Sequence, residues 1–151
     1  MVMERMHRSR YTGMNVMAKE AFSAAQIMAV VVGILFIAVG VLGLWRTGFH
    51  STTTPIVAVG RLTVTPIVAV AHIGVGVLAM IGASNPGFAR GIMTIIGFGL
   101  VALGVAILIQ PPPSLGFQRD NGFAYLLIGV LATGSSVMTP TISAKEEVGT
   151  P

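Results

Sequence analysis

The charged residues of this chain are so sparse and so grouped that they leave four long stretches with no Lys, Arg, Asp or Glu: residues 21–45, 62–89, 91–118 and 121–144. A bilayer's hydrocarbon core is about 30 Å thick and needs roughly 20 apolar residues of helix to cross it. Each stretch accommodates one such span. Unpaired backbone N–H and C=O groups are costly in lipid, so a spanning segment must be a helix or part of a closed barrel. The runs 27–44 and 91–109 lack the polar/apolar alternation of barrel strands. The expected fold class is therefore an all-α membrane protein with four transmembrane helices, at about 24–45, 64–83, 90–110 and 121–138, between a basic tail (1–22) and a polar tail (139–151).

With 54% hydrophobic and 9% charged residues, the chain has too little polar surface to coat a soluble bundle, whose helices would show polar stripes. The net charge of +4 is spread thinly outside the spans, which suits membrane lipids as partners and argues against nucleic acid. There is no cysteine, which excludes disulfides, thiolate metal sites and thiol nucleophiles. The first span follows basic residues Arg5, Arg8, Arg10 and Lys19, as a signal peptide would. Its apolar run is too long and ends at Trp45-Arg46 rather than at small residues, so it is expected to remain as an anchor. Met14 and Met17 are alternative translation starts beside Met1.

Ser23 is placed to cap the first helix, and Pro66 suits the first turn of the second. Ser84-Asn85-Pro86-Gly87 reads as a tight turn, and Pro111-Pro112-Pro113 terminates the third helix. The apolar run 56–59 is expected to lie at the interface. Lys/Arg counts place Arg5, Arg8, Arg10, Lys19, Arg90 and Lys145 on one side, against Arg46, Arg61 and Arg119 on the other. The richer side is expected to face the cytoplasm of a multi-pass cell-membrane protein, with both termini inside. Trp45, Phe49, Phe117, Phe123 and Tyr125 would then gather near the outer interface.

A weak internal repeat runs through the spans. At an offset of 64, Gly33, Ala38, Gly40, Val41 and Leu44 fall on Gly97, Ala102, Gly104, Val105 and Leu108. At an offset of 53, Gly76-Val77-Leu78-Ala79 falls on Gly129-Val130-Leu131-Ala132, and His72 falls on Tyr125. Such a pattern fits two duplicated helical hairpins related by an axis along the membrane normal, or the chance recurrence of common apolar residues. Gly33, Gly40, Gly76, Gly97, Gly104 and Gly129 are candidate helix-packing positions, since absent side chains let backbones approach. The stripes through Ala69, His72, Gly76 and Ala79, and through Gly122, Tyr125, Gly129 and Ala132, are expected to meet each other inside the bundle.

His72 lies about 10 Å of helical rise past Thr65, the one strongly titratable side chain deep in a span. It is a candidate ligand-binding residue with Tyr125, an interhelical group donating to a carbonyl or to a hydroxyl such as that of Tyr125, or a proton relay. Haem and zinc fit poorly, because no second histidine, acid or thiol stands at ligand spacing. No catalytic constellation, metal site or cofactor is expected. Asp120 is best read as support for a helix N-terminus.

Thr65-Pro66-Ile67-Val68-Ala69 and His72-x-x-x-Gly76 open the second span, and Asp120-Asn121 followed by Tyr125-x-x-x-Gly129 opens the fourth. In these motifs the chain resembles small actinobacterial four-helix membrane proteins of the DUF4383 type, a domain of unknown function, over about residues 24–138. That family has Asn-Pro-Leu-His-Asn ahead of the His-x-x-x-Gly motif; Val68 and Tyr125 replace two of its histidines here. The resemblance implies the architecture and assigns no activity. The leading expectation is a non-enzymatic structural or accessory subunit, a homo-oligomer or part of a larger membrane complex, associating through small-residue faces. The alternative is a small transporter or ligand-binding channel subunit with His72 and Tyr125 in a polar intramembrane cavity.

Overall fold

A computed structural model describes residues 22–47 and 55–139; residues 1–21, 48–54 (Phe49 among them) and 140–151 lie outside the described residues. Helix α1 (Ala24–Thr47) opens with a reciprocal cap. The Gln26 amide donates to Ser23 Oγ at 3.2 Å and the Ser23 amide to Gln26 Oε1 at 3.0 Å, satisfying two donors that a helix start leaves open. A short antiparallel hairpin follows, β1 (Ile56–Val59) with β2 (Leu62–Val64), turning at Gly60 with φ +58°. Glycine carries that φ without a Cβ clash. These strands occupy the connection where the sequence suggested only an interfacial apolar run.

Helix α2 (Pro66–Gly82) starts with proline in its first turn after Thr65. Helix α3 (Pro86–Ile109) begins almost at once, earlier than the expected start near residue 90. Asn85 is its N-cap, accepting from the Gly87 amide at 2.9 Å and the Phe88 amide at 3.3 Å. Asn85-Pro86 is thus a cap followed by N1 proline, and the tetrapeptide read as a tight turn both turns the chain at Ser84-Asn85 and supplies the first residues of α3. After a short 3₁₀ turn (Pro113–Leu115), helix α4 runs from Arg119 to Met138.

Helices α1, α3 and α4, with 24, 24 and 20 residues, are long and apolar enough to cross a membrane. Helix α2 has 17 residues, about 25 Å at the helical rise, and is the shorter member. Large apolar side chains such as Ile34, Ile67, Ile95, Phe98 and Leu127 point outward and are exposed, while Ala25, Ala29, Val32, Met93 and Ile107 fill the interior. A bundle that turns its largest apolar side chains outward matches lipid as solvent.

The tightest packing is within sequential pairs, α1 with α2 and α3 with α4. A Cβ on Gly33 would lie 3.1 Å from the Gly76 carbonyl oxygen, and one on Gly76 would lie 2.8 Å from that of Gly33. The second pair matches: Gly97 and Gly129 face each other's carbonyls at 3.0 and 2.8 Å. Further along, Gly40 meets the Ala69 carbonyl and Gly104 meets that of Gly122. Flanking residues follow the same correspondence: Ile37 and Ile73 in one pair, Val101 and Leu126 in the other. Offsets of 64 and 53 therefore carry contacting residues onto contacting residues.

The small-residue stripes of α2 and α4 do not meet face to face, contrary to expectation. Each is consumed by its own hairpin partner, because a short connection puts sequential helices side by side before any other contact forms. The stripes approach one another at His72 and Tyr125.

Candidate functional site

His72 projects from α2 toward the middle of the bundle and is 8% exposed. Its Nδ1 lies 2.7 Å from the carbonyl oxygen of Val68, one turn earlier. A carbonyl only accepts, so Nδ1 carries the proton and Nε2 is left as an acceptor. The Tyr125 hydroxyl, on α4, donates to that nitrogen at 2.9 Å. Both ring nitrogens of the neutral imidazole are occupied, and the two helices are braced across the bundle.

Aromatic rings surround this bond. Phe36 of α1 lies 5.0 Å from the imidazole and 6.5 Å from the phenol, and Phe117 meets Tyr125 edge-on at 5.7 Å. The imidazole and phenol are stacked with their centroids 5.7 Å apart. Tyr125 and Phe117 are therefore core residues, whereas Trp45 and Phe123 are exposed. Of the aromatic residues expected near the outer interface, Phe117 and Tyr125 face into the bundle, with Tyr125 six residues into α4, about 9 Å from its start.

Two clefts flank the pair. Cleft one, about 120 Å³, runs between α1 and α4 and is walled by Leu35, Phe36, Val39, Thr63, Asn121 and Ala124. Cleft two, about 290 Å³, runs between α2 and α3 and is walled by Val68, Ala71, Val75, Leu100, Leu103 and Phe117. His72 and Tyr125 border both. The repeat relates the walls: Phe36 to Leu100, Val39 to Leu103, Val64 to Phe117, and in the opposite direction Asn121 to Val68, Ala124 to Ala71 and Ile128 to Val75. The cavity expected beside His72 is thus split in two and mostly apolar, because the polar atoms of the pair are turned onto each other.

At the end of the bundle where α2 and α4 begin, Asn121 ties the β-hairpin to α4. Its Nδ2 donates to the Thr63 carbonyl at 2.8 Å and its Oδ1 accepts from the Gln118 amide at 3.1 Å. The Thr63 hydroxyl donates to the Gly116 carbonyl at 2.6 Å. Thr65, fully buried, has a hydroxyl without a hydrogen-bond partner. At the opposite end Gln26 Nε2 donates to the Ala83 carbonyl at 2.9 Å, and the Ala25 amide donates to Thr139 Oγ1 at 2.9 Å.

All six glycines singled out from sequence except Gly40 have a glycine opposite; Gly40 faces Ala69, and every one of these contacts is made within the chain. Phe36, Thr63, Asn121 and Gln26 were not anticipated. Asn121 and Gln26 carry a readable signal, as amide side chains at the very start of apolar helices. Among the described residues no group of three or more His, Asp or Glu side chains could hold a metal ion. Compared with known proteins, the chain matches no family model, no curated protein and no solved structure.

Proposed function

We propose that this chain is a non-enzymatic, four-span protein of the cell membrane that takes a hydrophobic guest from the bilayer into the clefts beside His72 and Tyr125. One observation carries the reading: a pair of apolar clefts, related by the repeat and separated by the His72–Tyr125 brace, has rims of exposed Leu35 and Leu103. A dry apolar recess is filled more favourably by hydrocarbon than by water, which needs two to four polar partners. The satisfied imidazole supports a structural wall between the clefts more than a proton relay or a catalytic base.

In this reading α2 is the fourth span, its 17 residues extended by Thr65 and the β-hairpin, and both termini face the cytoplasm by the distribution of Lys and Arg. The matching glycine contacts support descent from a duplicated hairpin. Kinship with the DUF4383 type stands as a proposal on Pro66, His72-x-x-x-Gly76, Asp120-Asn121 and Tyr125-x-x-x-Gly129. A photoactivatable acyl lipid incorporated into vesicles with the protein tests the reading. Adducts are expected to concentrate on Leu35, Ala124, Ala71 and Leu103; adducts spread evenly over outward residues such as Ile95 and Phe98 contradict it.

A second reading, an accessory subunit in a homo-oligomer or larger membrane complex, rests on a different surface from the one the sequence suggested. Gly91 and Gly99 of α3 face open space beside Ile95 and Phe98, and a close helix approach from another chain fits there. Native mass spectrometry in mild detergent tests it: a mass of one chain with no partner contradicts association.

A further inference from the structure

Cleft two is the larger of the pair, and the repeat shows which residues make it so. In α1, Leu35 walls cleft one, one turn before Val39 and beside Phe36. The offset of 64 carries Leu35 onto Gly99, which stands one turn before Leu103 and beside Leu100, both walls of cleft two. Side chains four apart lie one above the other on a helix face, so Gly99 leaves a gap in α3 where α1 has a leucine. It is exposed, and among the described residues a Cβ there would meet nothing within 4 Å. Phe36 against Leu100 adds to the difference: the ring borders both clefts, whereas Leu100 borders cleft two alone.

Room and chemistry then separate the two recesses. An apolar cavity of about 150 Å³ admits one benzene molecule. Cleft one, at about 120 Å³, falls short of that, while cleft two, at about 290 Å³, nearly doubles it. From Ile67 to Val75 the α2 wall of cleft two extends about 12 Å along the helix. Among the described residues no Lys, Arg, Asp or Glu borders it, and its histidine and tyrosine are bonded to each other. Water would find too few partners there, and an empty recess would forfeit the dispersion contacts of its lining. Resting on the guest-binding reading above, we propose that cleft two is the seat of the guest: one acyl chain of a bilayer lipid lies lengthwise in it, entering past Gly99, and is recognised by its hydrocarbon alone. Cleft one touches such a chain only at its rim, by Leu35 and Ala124.

The test is photolabelling of the full chain in phosphatidylcholine vesicles, with a fraction of the lipid carrying a diazirine in the middle of one acyl chain. Adducts are compared on Leu100, a buried wall of cleft two, and on Ile128, a wall of cleft one. In the natural chain Leu100 is expected to exceed Ile128 roughly two- to threefold, the ratio of the two cleft volumes. G99L supplies the missing side chain where nothing stands in its way, and is expected to bring Leu100 down to the level of Ile128. G91L, two turns nearer the start of α3 and equally unobstructed, is expected to keep the natural pattern. Equal labelling of Leu100 and Ile128 in the natural chain, no change in G99L, or an equal loss in G91L overturns the entrance at Gly99 while leaving the clefts as guest sites. If the walls of both clefts are labelled less than outward Ile95 and Phe98, the guest-binding reading itself fails.

Discussion

At the scale of single residues, the core of this membrane bundle depends on a few polar groups that satisfy one another. Tyr125→Phe removes the donor to His72 Nε2 and leaves a buried acceptor unpaired, a loss of about 1–2 kcal/mol. Thermal unfolding in detergent is expected to show the decrease, and an unchanged midpoint would deny the bond any weight. Thr65 behaves oppositely, because its buried hydroxyl has no partner. Replacing it with isosteric valine removes a desolvated polar group, so Thr65→Val is expected to be neutral or mildly stabilising. A clear drop in the same melting experiment would mean that the hydroxyl caps α2 in the membrane. His72 was legible from sequence as the lone deep imidazole, and Tyr125 as its repeat equivalent. That the imidazole bonds to the Tyr125 hydroxyl across helices was also legible as one option; the direction of the bond was not, because it follows from the Val68 carbonyl, a backbone contact that holds the proton on Nδ1 and leaves Nε2 to accept.

At the scale of elements, glycines divide by what lies opposite them. A Cβ on Gly129 would sit 2.7 Å from the Val101 amide nitrogen and 2.8 Å from the Gly97 carbonyl oxygen, both backbone. Neither can move without parting α3 from α4, so Gly129→Ala is expected to destabilise by about 1–3 kcal/mol through overpacking. Gly74→Ala, which faces open space, is expected to change stability by less than about 0.5 kcal/mol. Equal melting of the two variants would contradict the packing. The helices were readable because charges bracket them. The β-hairpin was not, as Ile56–Val59 is too short for a strand pattern to emerge, and Asn85-Pro86 looked like a turn because cap and N1 proline use the same residues as turns do.

At the scale of the whole molecule, the two offsets of 64 and 53 differ by 11, which is the extra length of the α1–α2 connection that carries the β-hairpin. Residues related by a two-fold that also touch each other must flank its axis. Thr63 with Gly116, and His72 with Tyr125, are both separated by 53 and both joined by hydrogen bonds, so they mark an axis running along the bundle. The clefts are then the two copies of one recess. If so, the two partners of the brace are interchangeable: in H72Y/Y125H the new imidazole stands one turn after Asn121, as His72 stands after Val68. The double variant is expected to melt close to the natural protein, while H72F, which forfeits the bond, melts lower. A double variant less stable than H72F would contradict the symmetry.

The central claim is that all four helices cross the bilayer, including the short α2. The chain has no cysteine, so single-cysteine variants report topology without background. Labelling of Lys19→Cys, Arg61→Cys, Arg119→Cys and Lys145→Cys with a membrane-impermeant maleimide on intact cells and on inverted vesicles is the most direct measurement. Four crossings require the thiols introduced at positions 19 and 145 to react only from the cytoplasmic side, and those at positions 61 and 119 only from outside. Reaction at positions 19 and 145 from opposite sides would mean three spans, and would contradict the claim.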